Sequence, residues 1–208
     1  MLSYRPLLAA MSLSLLAALS PVIAHAASKH KQEPVKEAAA TDPATTALKV
    51  STLGGKFAFT LPAGYAANPL PAGDAAHGTA GASGTMYLNE ALKRVIIVTE
   101  SPIPNGTKVT DNDDTFLDGA AAGLTSQQRA GLPDYQKVSE KSMKINTLGV
   151  RQIDSTGTMG GGKTITTTLV AGSGARMTAV EVVSRAADQS SHDAFVQQIV
   201  SGKPAAAK

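Results

Sequence analysis

The chain has no cysteine among its 208 residues. That absence excludes a disulfide framework, a thiolate-ligated metal and a thiol nucleophile. It also excludes lipid attachment at a cysteine, the usual tether of small bacterial envelope proteins. No apolar run is long enough to cross a bilayer, which takes about 20 residues. Residues 7–19 come nearest, and Ser12 and Ser14 interrupt them. Aromatic residues make up only 4% of the chain, and the net charge is only +3. Nucleic-acid binding needs a clustered basic face or aromatic stacking platforms. Neither is present, and the scattered charges read as a mixed, solvated surface.

What the chain does have, at its start, is an export pattern. Arg5 supplies a positive n-region, residues 7–19 an apolar h-region, and Pro21 a helix stop. Ala24-His25-Ala26 follows as the small-x-small sequence that a signal peptidase accepts. Residues 1–26 are therefore expected to be a cleaved signal peptide, which places the mature protein in the periplasm. Loss of Arg5 leaves 18 basic against 16 acidic residues. About 180 residues remain, enough for one domain with a sizeable core.

Residues 27–48 mix Lys, Glu, Ala, Thr and Pro with little apolar content and read as a disordered tether. The folded domain is expected over 49–202, with 203–208 as a frayed tail. Gly54-Gly55 separates two strand patterns, 50–53 and 56–61, as a hairpin signal. Phe57, Phe59 and Leu61 give one apolar face, and Pro62-Ala63-Gly64-Tyr65 ends the strand in a turn. Residues 66–83 read as a long Gly, Pro and Ala loop, either mobile or functional. Residues 85–89 and 93–100 form a second hairpin pattern. Within it Val95-Ile96-Ile97-Val98 predicts a central strand covered on both faces.

Two helices are predicted. In 113–130, Leu117, Ala120, Ala121 and Leu124 make an apolar stripe, and Gly119 and Gly123 permit close packing. Near the end, Ser190-x-x-Asp193 reads as a capping-box-like start, and Phe195, Val196, Ile199 and Val200 form the apolar face. Gly202 and Pro204 end that helix. Between the helices lie four Thr-, Val- and Ile-rich strands at 135–145, 148–156, 163–171 and 176–184. Short glycine turns join them, so antiparallel neighbours are expected. The fold class is α+β, with helices packed on a mostly antiparallel sheet.

Phe57-Ala58-Phe59-Thr60-Leu61-Pro62-x-Gly64-Tyr65 resembles the opening strand and Pro-x-Gly-aromatic turn of PsbP-like domains, especially the bacterial DcrB-like envelope proteins. Met143-Lys144-Ile145-x-x-x-Gly149, the strand meander and the closing helix are similar too. The resemblance covers about 49–202 and implies an α/β/α sandwich. It implies a non-enzymatic role in assembly or the cell envelope and carries over no catalytic residue. DcrB-like proteins are usually lipoproteins, and this chain departs from them in lacking the lipidated cysteine.

Four patterns invite a chemical reading. Gly157-x-x-x-x-Gly162-Lys163-Thr164 has the letters of a phosphate loop. A phosphate loop needs a following helix, whose amino terminus favours the phosphate. Here Ile165-Thr166-Thr167-Thr168-Leu169-Val170 follows, which favours a strand, so Gly160-Gly161-Gly162 reads as a hairpin turn. Asp111-Asn112-Asp113-Asp114 concentrates oxygens, but Phe116 stands where a calcium loop needs glycine. Helix capping is the expected use. His30, His77 and His192 share no metal-ligand spacing. His77 shares a loop with Ser83, but no orienting carboxylate or oxyanion hole accompanies them. Asn105-Gly106-Thr107 has the letters of a glycosylation sequon and reads as a turn.

No catalytic, cofactor-binding or metal-binding residue is therefore expected. The sequence points to an exported, non-catalytic binding or assembly-support module whose partner is another envelope protein. Residues 66–83 and 103–112 are the expected contact surfaces. The alternative is a carrier of a small apolar ligand or lipid, in a pocket between sheet and helix lined by Phe57, Phe59, Leu124 and Phe195.

Overall fold

The computed structural model describes residues 42–76 and 78–202. The expected signal peptide, most of the expected tether, His30, His77, Pro204 and the expected tail lie outside the described residues. Nine strands and two longer helices are formed among the described residues. Strands β1 (Leu48–Thr52) and β2 (Phe57–Leu61) pair as an antiparallel hairpin in register Val50 to Phe59. The main sheet has seven antiparallel strands in the order β3-β4-β5-β9-β8-β7-β6. These are β3 (Ala66–Pro69), β4 (Ser83–Asn89), β5 (Arg94–Pro102), β6 (Gln136–Ile145), β7 (Leu148–Met159), β8 (Gly162–Ser173) and β9 (Arg176–Arg185). Helix α1 (Asp114–Gly131) follows β5, and α2 (Gln189–Ser201) follows β9. The domain is thus α+β, and its four-strand meander runs as the glycine turns predicted.

The two faces of the sheet carry separate cores, because side chains alternate along each strand. On one face Ile96, Val150, Leu169 and Val182 pack with the β1–β2 hairpin and with Phe195 and Ile199 of α2. On the other, Ile153, Val170 and Met177 pack with Ala120 and Ala121 of α1. Consecutive residues Leu169 and Val170 therefore belong to different cores. The α1 stripe is met as predicted: Leu117, Ala120 and Ala121 are buried, and Leu124 packs at the edge.

Four local expectations are corrected. Residues 66–69 are strand β3 rather than loop, paired with β4 from Ala66 to Leu88. They are short, small and contain Pro69, so they lack a strand signature, and they sit at the sheet edge where proline is tolerated. Val95 and Ile97 are only half-buried, while Ile96 and Val98 are buried. Coverage on both faces falls instead on β8, because α1 lies over β7 and β8. Gly119 and Gly123 have open space where a Cβ would stand, so neither serves close packing. Ser190 lies inside α2, and the preceding Asp188 makes no side-chain cap. Asp193 instead accepts from Gln189 Nε2 at 2.8 Å. Gly202 does end α2, in the left-handed conformation at φ 64°.

The chain just before β1 is tied to the fold. Ala44 N donates to Tyr65 O at 3.0 Å, and Gly64 N donates to Ala44 O at 2.8 Å. Of the two expected contact segments, 103–112 is anchored at Ile103, which is buried, and at Val109, which bridges Gly174. Only 104–108 stands exposed between them.

A polar chain and cleft between the sheet and helix α2

The α2 side of the sheet is apolar over most of its area but polar toward the β7–β8 turn. Arg94 opens β5 and is only 4% exposed. Its Nε donates to Ser184 Oγ at 3.1 Å and its Nη2 to Ser191 Oγ at 2.8 Å. The guanidinium carbon sits 4.7 Å from the centre of the Phe195 ring, a cation–π contact. Ser184 Oγ is in turn 3.0 Å from His192 Nδ1, and His192 Nε2 is 2.9 Å from Thr167 Oγ1. Thr167 Oγ1 donates to Asp154 Oδ1 at 2.7 Å.

The polarity of this chain assigns the imidazole tautomer. The one hydroxyl proton of Thr167 goes to the carboxylate, so His192 Nε2 must carry a proton and donate to Thr167. Ser184 accepts from Arg94 and so directs its own proton to Nδ1. A neutral His192 thus links a buried guanidinium to a carboxylate through two hydroxyls. Burial lowers the His192 pKa, and the Arg94 charge lowers it further, against opposing effects of Asp193 and Asp154. Burial would raise the Asp154 pKa, but hydrogen bonds from Ser139, Thr167 and Gln152 and the charge of Lys141 outweigh it and hold the carboxyl below its usual range.

Beside this chain is a cleft of about 410 Å³ between β6, β7, β8 and α2. Asp154 forms part of its wall with both oxygens occupied: Oδ2 accepts from Ser139 Oγ at 2.6 Å, and Gln152 Nε2 reaches Oδ1 at 2.8 Å and Oδ2 at 3.0 Å. Gln152 also lines the cleft and is 4% exposed. Its Oε1 has no hydrogen-bond partner among the described residues. A β-bulge between Lys137 and Ser139 shifts the edge strand at this place and brings Ser139 opposite Asp154.

The residues proposed for an apolar pocket do not converge. Phe57 and Phe59 meet edge-on at 6.0 Å, and Phe195 stacks on Tyr65 at 6.2 Å, all within the α2-side core. Leu124 packs on the opposite face of the sheet. Alternation along the strands separates them, and periodicity alone could not assign α1 and α2 to faces. The sequence placed His192 on α2 without a role. It missed Arg94, Gln152, Asp154, Thr167 and Ser184 altogether. Their one signal is that each is polar at an inward position of a β-rich segment.

The other motifs resolve into structure. Gly160 and Gly161 turn the β7–β8 hairpin at φ 57° and 80°. Lys163 Nζ donates to Asp134 Oδ2 at 2.6 Å. That bond and those from Thr158 lower the Asp134 pKa to about 2. Asp113 caps α1 by accepting from Phe116 N at 2.9 Å, as predicted. Asp111 accepts from Lys56 Nζ and Ser173 Oγ, and Asn112 Nδ2 donates to Thr147 O. Asn105 and Gly106 form a turn at φ 60° and 66°. Among the described residues no helix is long and apolar enough to cross a membrane.

No family model matches the chain, and no curated protein sequence matches it. Solved structures do. The solution structure of the cyanobacterial PsbP protein, CyanoP, from Synechocystis sp. PCC 6803 superimposes with a TM-score of 0.54 at 10% identity. The match covers 76% of this chain and 91% of that one. A protein of unknown function, PA94 from Pseudomonas aeruginosa, matches with a TM-score of 0.42 at 11% identity, over 78% of this chain and 99% of its own. The class defined here is a fold class: the domain has the PsbP-like fold.

Proposed function

We propose that the protein is an exported, non-catalytic binding module of the bacterial envelope, related in role to DcrB-like proteins. The observation that carries this reading is the polar cleft whose buried Gln152 carbonyl has no partner of its own among the described residues. Convergent polar groups in a concave site are the usual mark of ligand binding. The non-catalytic part draws support from His192. Both its ring nitrogens are engaged by hydroxyls of the protein, and Thr167 and Ser184 are 3% and 1% exposed. His192 and Thr167 line the cleft, but with both ring nitrogens and the Thr167 proton already engaged, neither offers a free base or nucleophile to a ligand there. Export rests on Arg5, the apolar stretch 7–19 and Ala24-His25-Ala26. The exposed residues 104–108 offer a contact surface for an envelope partner.

Native mass spectrometry of protein drawn gently from the periplasmic fraction tests the reading. The expected result is a chain beginning at Ala27, with added mass that leaves on mild activation. A chain retaining Met1, or one confined to the cytoplasm, contradicts export. A processed chain bare of any added mass at all protein concentrations contradicts a binding module.

A further inference from the structure

The lining of the cleft specifies a ligand class. Ile165 and Val196 supply apolar surface. No Phe, Tyr or Trp lines the cleft, and the His192 ring in its wall is only 2% exposed, so little ring face is offered to a planar base. Charges of both signs are present. Lys141 pairs across from Gln152 in the β6–β7 register, and Asp193 stands on α2. Both are exposed, and both line the cleft.

The Asp154 carboxylate is saturated by Ser139, Gln152 and Thr167, so it offers little to a ligand. Gln152 differs. Its amide nitrogen faces the two Asp154 oxygens, which fixes the amide orientation, since a flipped carbonyl would face the carboxylate. Its carbonyl is thereby left as a buried acceptor without a donor. A donor supplied by a ligand removes the cost of that unmet acceptor. The Asp193 carboxylate favours a donor that is cationic, and Lys141 favours an anionic group on the same ligand. A volume of about 410 Å³ lies within the small-molecule range and holds an amino acid with room to spare for water.

We propose that this cleft binds a small zwitterion of the α-amino acid class. Its ammonium group donates to Gln152 Oε1 and to the Asp193 carboxylate, its carboxylate meets Lys141, and its side chain rests on Ile165 and Val196. The inference rests on the reading of the cleft as a binding site.

The test is an NMR titration of the purified ¹⁵N-labelled protein with four probes: L-valine, isobutylamine, isobutyrate and glucose. Valine is expected to give saturable shifts at the Gln152 side-chain amide and at Asp193, and isobutylamine to bind about tenfold more weakly. Lys141→Met is expected to weaken valine about tenfold and leave isobutylamine unchanged. Asp193→Asn is expected to weaken both. Both side chains are exposed, so these variants test the site even where Gln152→Leu disturbs the fold. Equal binding of valine and isobutylamine overturns the zwitterion, as does indifference of valine binding to both variants. Glucose shifting the cleft in place of valine overturns the ligand class and leaves the cleft standing as a binding site. A protein that arrives from the periplasm with bound mass yet answers none of the four probes overturns the ligand class alone.

Discussion

Phe195→Ala is expected to cost the fold about 3 to 5 kcal/mol, the range for removing a buried aromatic side chain. The ring is 5% exposed and belongs to the α2-side core. It stacks on Tyr65 at 6.2 Å with 23° between planes, and it lies under the Arg94 guanidinium at 4.7 Å. Truncation opens a cavity beneath α2 and strips the buried cation of its ring face. Phe195→Leu keeps most of the volume and loses only the ring, so about 1 to 2 kcal/mol is expected. Guanidinium unfolding at pH 7 measures both, with the m-value as a check that the denatured state has not changed. An alanine cost near that of the leucine variant would show that α2 does not close this core.

Asp154→Ala is expected to cost about 2 to 4 kcal/mol, although the residue is itself only half-buried. The cost comes from its partners. Gln152 and Thr167 are 4% and 3% exposed, and each loses its acceptor. Thr167 then has no carboxylate to orient its proton, and the chain back through His192 loses its direction. Thr167→Val removes the same link from the other side. The two effects are expected to fall short of additivity by about 0.5 to 3 kcal/mol, because they break one network. Additive losses would mean that the Thr167–Asp154 bond contributes nothing beyond its two ends. The depressed Asp154 pKa fixes the pH window of its contribution. That stability is present above the ordinary carboxylate pKa of about 3.9 and is lost as pH falls through the lower folded value.

The strands and the larger helices were legible because their signals are local. Thr and Val runs broken by Gly160-Gly161-Gly162 and Gly172-Ser173-Gly174 announce a meander, and the meander forms. The Leu117 to Leu124 stripe announces an amphipathic helix, and its inward residues are the expected ones. Strand β3 gave no signal, since an alanine, asparagine and proline segment has little strand propensity of its own and is held by its pairing with β4. The layering was not legible either. Leu124 and Phe195 are both apolar residues of amphipathic helices, and nothing local says that a sheet stands between them.

The polar chain was the least legible feature. Arg94 stands at the start of a strand, next to Lys93, as a surface arginine would, and Thr167 is one of three consecutive threonines. Thr166 and Thr168 flank it and face the other side of the sheet, and only pairing and register single out Thr167 as the neighbour of His192. Asp154 lies 38 residues before His192, and β8 and β9 must form before the two share a network. A composition of ordinary polar residues at inward strand positions is a three-dimensional signal.

The most direct test of the account is the ionisation and tautomer of His192, read by ¹⁵N NMR of the imidazole across pH 5 to 8. The predicted result is a neutral ring protonated at Nε2 at pH 7, titrating below the ordinary value of about 6.5. The same depression means that the unfolded chain binds the proton first. Stability is then full above about pH 6.5 and falls as pH falls toward the folded value, by at most about 1.4 kcal/mol per pH unit. A ring protonated at Nδ1, or one that titrates above 6.5, would contradict the directed chain from Arg94 to Asp154 on which the cleft is built.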